Sequence, residues 1–150
     1  MLRFEMSMTL PSAARSLRRE VFMEEQGFSY EFDDTDNRAL HLVLFDGEEA
    51  VACCRMFPEG PDSWHIGRVA VKEERRGQHL GEAVMNEAEA ALALKGAKKV
   101  ALSAQVQAAG FYKKLGYVQV GEEYLDEHCP HVDMEKLLGS APAGAKEGTK

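Results

Sequence analysis

Residues 69–81 read VAVKEERRGQHLG: a β-branched run that breaks into charges, then a glycine, then a second glycine four positions on. The run predicts a strand, and the apolar positions Leu80, Val84, Ala88, Ala91 and Leu92 that follow it have the spacing of an amphipathic helix. A strand feeding through Arg75, Arg76, Gly77, Gln78 and His79 into a helix near Leu80 presents unpaired backbone N–H groups at the positive end of the helix dipole. Phosphate fits such a place. Gly77 permits a sharp turn, Gly81 permits close approach to the first helical turn, and Lys72, Arg75 and Arg76 add positive charge. A tight strand-to-helix turn with solvated charges accounts for the same residues equally well. The common phosphate loops are excluded, because neither GxxxxGK[ST] nor GxGxxG with a downstream acidic residue is present.

The remaining chain supplies the sheet around this elbow. Pro11 and Ser12 open a helix over about residues 12–26, with Ala14, Leu17, Val21 and Phe22 on one face and Gly27 closing it. LHLVLF and AVACCRMF flank DGEE, a hairpin with Asp46-Gly47 at its turn, and WHIGRVAV adds a third strand. On the long helix, Glu82, Asn86, Glu87 and Glu89 are expected to face solvent, and Gly96 ends it. KVALSAQ then reads as a strand, AAGFYKKL as a short helix closed by Gly116, and YVQVGEEY and HVDMEKLL as two last strands. With a strand at the N-terminus, the order predicts an α/β fold with a mixed sheet and helices on both faces: an antiparallel meander first, then parallel pairing through a crossover helix. Residues 1–138 read as one domain, and GSAPAGAKEGTK (139–150) as a disordered tail without large apolar residues.

Charge and composition narrow the function. With 18 lysines and arginines against 25 acidic residues the formal charge is −7, which disfavours nucleic acid and anionic membrane as partners. No apolar run reaches the ~18–20 residues of a bilayer span, and the N-terminus lacks the apolar core of a secretion signal. A cytoplasmic protein is expected. Cys53, Cys54 and Cys129 form no disulfide framework, and HCPH (128–131) lacks the further ligands that a structural zinc site needs, so no metal is expected.

RVAVKEERRGQHLGEAVM resembles the acyl-CoA-binding motif of the GNAT superfamily of N-acetyltransferases, with Arg76, Gly77, Gln78, His79, Leu80 and Gly81 as its signature and His79 where glycine is usual. AGFYKKLGYVQVG, EVFMEEQGFSYEFDDTD and HCPHVDMEK extend the resemblance, over roughly residues 15–138, to the small bacterial YjcF-like and ElaA-like branch. It implies a mostly antiparallel GNAT-type sheet in which RVAV splays at a bulge. Backbone groups of the strand Val69, Ala70 and Val71 would then serve pantetheine, and amides from Arg76 through Gly77, Gln78 and His79 to Gly81 would cradle the pyrophosphate. Gln105 and Ala108 would line the far side of the wedge. The implied cosubstrate is acetyl-CoA, with coenzyme A as product.

Transfer to an amine needs a polarised carbonyl, a base and a proton for the thiolate. In the GNAT pattern Tyr112 is the proton donor. Phe111 and Leu115, four apart, are expected on the core face of their helix, leaving Tyr112 to point into the cleft. A tyrosine packed in the core is the alternative. Glu25 and His131 are the candidate bases, each with an ordinary structural role as its alternative. Arg55 and Arg68 alternate inside apolar strands and call for carboxylate partners among Asp33, Asp34, Asp36 and Glu25. The acidic loop that holds these aspartates is either a plain solvated loop or a lure for a cationic amine. The expected activity is acetyl transfer to a primary amine of a small molecule or peptide. The competing reading is a module that binds acyl-CoA without turnover, and a homodimer is compatible with either.

Overall fold

The computed structural model describes residues 1–29 and 32–139. Seven strands, β1 (Leu2–Ser7), β2 (Leu40–Asp46), β3 (Glu49–Pro58), β4 (Ser63–Val71), β5 (Lys99–Gln105), β6 (Val118–Asp126) and β7 (Cys129–Leu137), hydrogen-bond in the order β1-β2-β3-β4-β5-β7-β6. The β1/β2, β2/β3, β5/β7 and β6/β7 pairs are antiparallel. β4 and β5 are parallel, as a crossover through a helix requires. The helices are α1 (Ser12–Arg18), α2 (Leu80–Leu94) and α3 (Ala109–Lys114). The mixed, mostly antiparallel α/β sheet that the GNAT resemblance implies is the one observed; the parallel pairing expected of the second half is found at β4/β5, while β7 enters between β5 and β6 and pairs antiparallel with both. The tail reading falls, apart from Gly139, outside the described residues, as do Tyr30 and Glu31 of the acidic loop region.

Contacts group the chain into two compact units, Met1–Phe57 with Ile66–Ala88, and Pro58–His65 with the described residues from Glu89 onward. In the first, α1 starts without a side-chain cap, the Arg15 N–H bonding the Pro11 carbonyl at 3.0 Å. From Arg19 to Glu25 the helix widens to π winding, with Gln26 N–H reaching back five residues to Val21 at 3.1 Å. The single long α-helix expected over 12–26 is therefore two windings in series. Ala14, Leu17 and Val21 pack against Val43, Cys53 and Ala70. Leu42, Leu44, Ala52 and Cys54, which point to the opposite side of the same strands, are buried too, so both faces of this part of the sheet are covered.

Two strands are irregular. Leu44 pairs with Ala52 and Phe45 with Ala50, which leaves Val51 as the extra residue of a bulge; its carbonyl accepts the Lys72 N–H at 2.9 Å. In β4, Arg68 stands at φ 51°, a left-handed residue inside a strand and the interruption expected within RVAV. A network of ion pairs reaches it through Asp33. Arg18 grips Asp36 at 2.9 and 3.1 Å, Arg55 reaches Asp33 at 2.7 Å and Asp36 at 3.0 Å, and Arg68 reaches Asp33 at 3.3 Å. The acidic loop thus supplies the carboxylates that Arg55 and Arg68 call for, and Glu25 does not.

In the second unit Ser63–His65 run beside Lys99–Ala101, and β7 pairs with β5 along all seven residues of that strand. The β6/β7 register shifts between Val120 and Tyr124, where Gly121 takes φ 82°. Leu92, Val100, Leu102, Tyr117, Val132 and Met134 are buried. Glu89 corrects the sequence reading: it is buried, accepting the Tyr117 hydroxyl at 2.7 Å and the Lys136 ammonium at 2.7 Å. The buried stripe of α2 is one residue wider than Val84, Ala88 and Leu92, because Met85 is buried as well and Glu89 lies one turn beyond it. Among the described residues no helix is long and apolar enough to cross a membrane.

Candidate active site

After Val71 the chain makes one 3-10 turn (Glu73–Arg75), extends at Arg76 (φ −72°, ψ 156°) and turns at Gly77 (φ 81°) and His79 (φ 63°) into α2. A Cβ on Gly77 would meet nothing within 4 Å, so glycine is needed there for its backbone conformation and not for space. His79 holds the left-handed conformation for which the signature normally uses glycine; histidine is among the residues that tolerate it. The first bond of the helical ladder runs from Ala83 N–H to His79 C=O at 3.1 Å. The amides of Leu80, Gly81 and Glu82 precede it and have no partner within the helix. The His79 ring lies 3.6 Å from Glu82, and with Ala83 and Asn86 these two line a shallow depression on the first turns of α2.

The positive patch read from Lys72, Arg75 and Arg76 is neutralised. Arg75 pairs with Asp46 at 2.8 Å and Glu49 at 3.4 Å. Lys72 lies 3.6 Å from Glu20 and 3.8 Å from Glu49. Arg76 binds Glu25 through both nitrogens, at 2.6 and 2.8 Å, and donates twice to the Val71 carbonyl at 3.0 and 3.2 Å. The hydrogen bond from Arg76 holds the Glu25 carboxyl below its ordinary value, its partial burial opposing. These ion pairs fasten the elbow to β2, β3 and the π turn. In β4 the Ala70 side chain is buried in the core while Val69 and Val71 are half-exposed, so alternation fixes which way this strand faces.

The second unit holds the remaining candidates. Gln105 ends β5 opposite His131 of β7, and Ala108 closes the 3-10 turn that leads into α3. The face of α3 is the reverse of the one expected. Tyr112 is 8% exposed whereas Phe111 is 36% exposed, and Tyr112 packs edge-on against Tyr117 with centroids 5.9 Å apart. His131 is buried, its Nδ1 2.9 Å from the Cys129 carbonyl. A carbonyl only accepts, so Nδ1 carries a proton.

Sequence reasoning missed the groups beside His131. Tyr124 stacks on its ring at 6.1 Å and donates to Asp133 at 2.7 Å, and Ser103 donates to the same Asp133 oxygen at 3.0 Å. Burial, with the Asp133 carboxylate adjoining, pushes the Tyr124 phenol up, against an opposing hydrogen bond from Ser103. Only strand register brings Ser103 opposite Asp133 and Tyr124 opposite His131.

Residues 12–138 match the model of the acetyltransferase (GNAT) domain. This chain belongs to the GNAT acetyltransferase family. It is 37% identical over 124 residues to the uncharacterized N-acetyltransferase YjcF of Bacillus subtilis, covering 80% of this chain and 87% of that one. Among solved structures, an acyl-CoA N-acyltransferase from Pseudomonas aeruginosa superposes with a TM-score of 0.81 at 31% identity, over 91% of this chain and 99% of that one. Escherichia coli ElaA does so with a TM-score of 0.81 at 28% identity and the same two coverages. The GNAT assignment makes acyl transfer the general chemistry of the fold.

Proposed function

We propose that this GNAT protein transfers acetyl from acetyl-CoA to a primary amine of a small molecule or peptide by direct attack. The observation that carries the reading is the elbow: Gly77 and His79 both take left-handed backbones immediately before α2, inside the Arg76–Gly81 signature. That path leaves helix N-terminal amides for the pyrophosphate. Arg76 contributes its backbone, since its side chain is committed to Glu25. Backbone groups of Val69, Ala70 and Val71 serve the pantetheine arm, and Gln105 and Ala108 are assigned to the same cofactor. The bound cosubstrate supplies an activated thioester.

Three jobs remain for the chain. A backbone N–H within Val69–Val71 polarises the thioester carbonyl. Tyr112, whose ring is buried against Tyr117, is assigned to give its phenolic proton to the thiolate as the C–S bond breaks. His131, oriented by the bond from its Nδ1 to the Cys129 carbonyl, is the preferred base for the amine proton; Glu25, held ionised by Arg76, is the weaker candidate. Gentle-condition mass spectrometry for retained coenzyme A, followed by thiol release over a panel of amines and peptides, tests the proposal. Binding with amine-dependent thiol release is expected. Binding without release above hydrolytic background would move the assignment to a non-catalytic acyl-CoA-binding module, and no binding would end the cofactor reading.

A further inference from the structure

Arg68 is a non-glycine residue at φ 51° in the middle of a strand, a conformation that L side chains adopt only when their surroundings impose it. Its guanidinium is anchored to Asp33 Oδ2 at 3.3 Å. Asp33 is itself held by several partners. Its Oδ1 accepts the Thr35 N–H at 3.1 Å, capping the 3-10 turn Asp34–Asn37, and Arg55 spans both carboxylate oxygens at 2.7 and 3.3 Å. Arg55 continues to Asp36, which Arg18 holds in turn, and both arginines are buried. Arg68 is therefore tied to a fixed point.

Residues 69–71 follow Arg68 directly, and just past their other end the Lys72 N–H is bonded to the Val51 carbonyl at 2.9 Å. The tripeptide assigned to the cofactor is pinned on both sides, at Arg68 by a side-chain ion pair and at Lys72 by a backbone bond. We infer that Asp33 is a positioning residue: by holding the Arg68 side chain it keeps the β4 backbone left-handed there, and so aims the N–H and C=O groups of Val69–Val71 at acyl-CoA. The inference rests on the reading of Val69–Val71 as backbone ligands of the cofactor. It also separates the two aspartates, since Asp36 neutralises buried arginines and Asp33 sets the strand.

A double-mutant cycle tests this. Asp33→Asn keeps the Oδ1 acceptor for Thr35 and removes the charge that Asp33 presents to Arg68. Arg68→Gly removes the need for any anchor, because glycine takes positive φ unaided. The expected result is that Asp33→Asn raises the KM for acetyl-CoA and the Kd for coenzyme A about 10-fold and lowers kcat as well, since the same tripeptide carries the carbonyl-polarising N–H, and that in the Arg68→Gly background the same substitution changes Kd less than about 2-fold. Arg68→Val, which leaves the Arg55–Asp33–Asp36 pairs in place but disfavours the left-handed backbone, should weaken coenzyme A at least as much as Asp33→Asn, even if Asp33→Asn itself folds poorly. Amide hydrogen exchange of residues 66–71 without ligand supplies a readout independent of binding, and Asp33→Asn should speed it only when residue 68 is arginine. Equal Kd and equal exchange in wild type and Asp33→Asn, or an Asp33→Asn effect that persists undiminished in the Arg68→Gly background, would overturn the inference while leaving the cofactor reading intact. A wild-type protein that fails to bind coenzyme A would overturn both.

Discussion

Arg76 grips Glu25 with both of its terminal nitrogens, while its Nε and Nη2 also donate to the Val71 carbonyl. One guanidinium thus ties the elbow to the π turn after α1 and to the end of β4.

This pairing makes Glu25 the weaker of the two candidate bases, and a scaffolding role is expected for it. Its carboxyl stays ionised below the ordinary carboxylate range, so no inflection in a rate profile above pH ~5 should come from it. Glu25→Gln is expected to lower kcat by less than about 3-fold, whereas His131→Gln should lower it by ~10² or more, as loss of a general base does. Steady-state kinetics of the two variants across pH decide between them. Because the folded-state value is depressed, what the pair adds to stability is present above the unfolded-state pKa and is lost as pH falls through the folded one. The pair is partly exposed, which limits that addition to under ~1 kcal/mol.

Tyr112→Phe keeps the ring against Tyr117 and removes one proton. Turnover should fall by ~10² or more while coenzyme A affinity and melting temperature hardly move. Equal turnover in variant and wild type would refute the general-acid role.

The elbow conformation can be tested at two residues. His79→Gly should keep coenzyme A affinity and raise stability by up to ~1 kcal/mol, since glycine carries no penalty at φ 63°. Gly81→Val should weaken coenzyme A by crowding the first turn of α2. Calorimetry showing wild-type affinity for Gly81→Val would remove the pyrophosphate from this turn.

Asp36 sets the acid limit of the fold. Burial alone would raise its carboxyl, but hydrogen bonds and charge from Arg18 and Arg55 outweigh that and hold it at about 2. Its folded value is depressed, so its contribution is complete above the unfolded value near 3.8 and is lost as pH falls through about 2. The difference corresponds to roughly 2 kcal/mol. Chemical denaturation at pH 5, 3.5 and 2 should show that loss in the wild type, and Asp36→Asn should be less stable than wild type by ~3–5 kcal/mol at pH 7 because it strands buried arginine charge.

Element order was legible because period-2 and period-3.6 patterns separate cleanly in this chain, with glycines marking the ends, whereas the insertion of β7 between β5 and β6 was not. The signature around Gly77 and Gly81 was legible for the same reason, being contiguous. The face of α3 was not. Its α portion runs only from Ala109 to Lys114 after a 3-10 turn, too short for helical-wheel arithmetic, and the packing of Tyr112 on Tyr117 decides which ring is buried. Glu89 was misread because a carboxylate on a helix suggests solvent, although buried Met85 four residues earlier marks its face. The Ser103–Asp133–Tyr124 cluster depends on register between strands far apart in sequence, and no local pattern encodes that.

The anchoring of Lys72, Arg75 and Arg76 has a thermodynamic corollary for ligand capture. A loop fastened by ion pairs to β2, β3 and the π turn before any ligand arrives has little ordering entropy left to lose. Coenzyme A should then associate in a single kinetic phase, with a heat-capacity change that reflects the ligand surface buried and no added contribution from loop folding. The three cations already face carboxylates, so few ions should be displaced on binding. The Kd should accordingly vary only shallowly with salt for a ligand that carries several phosphate charges.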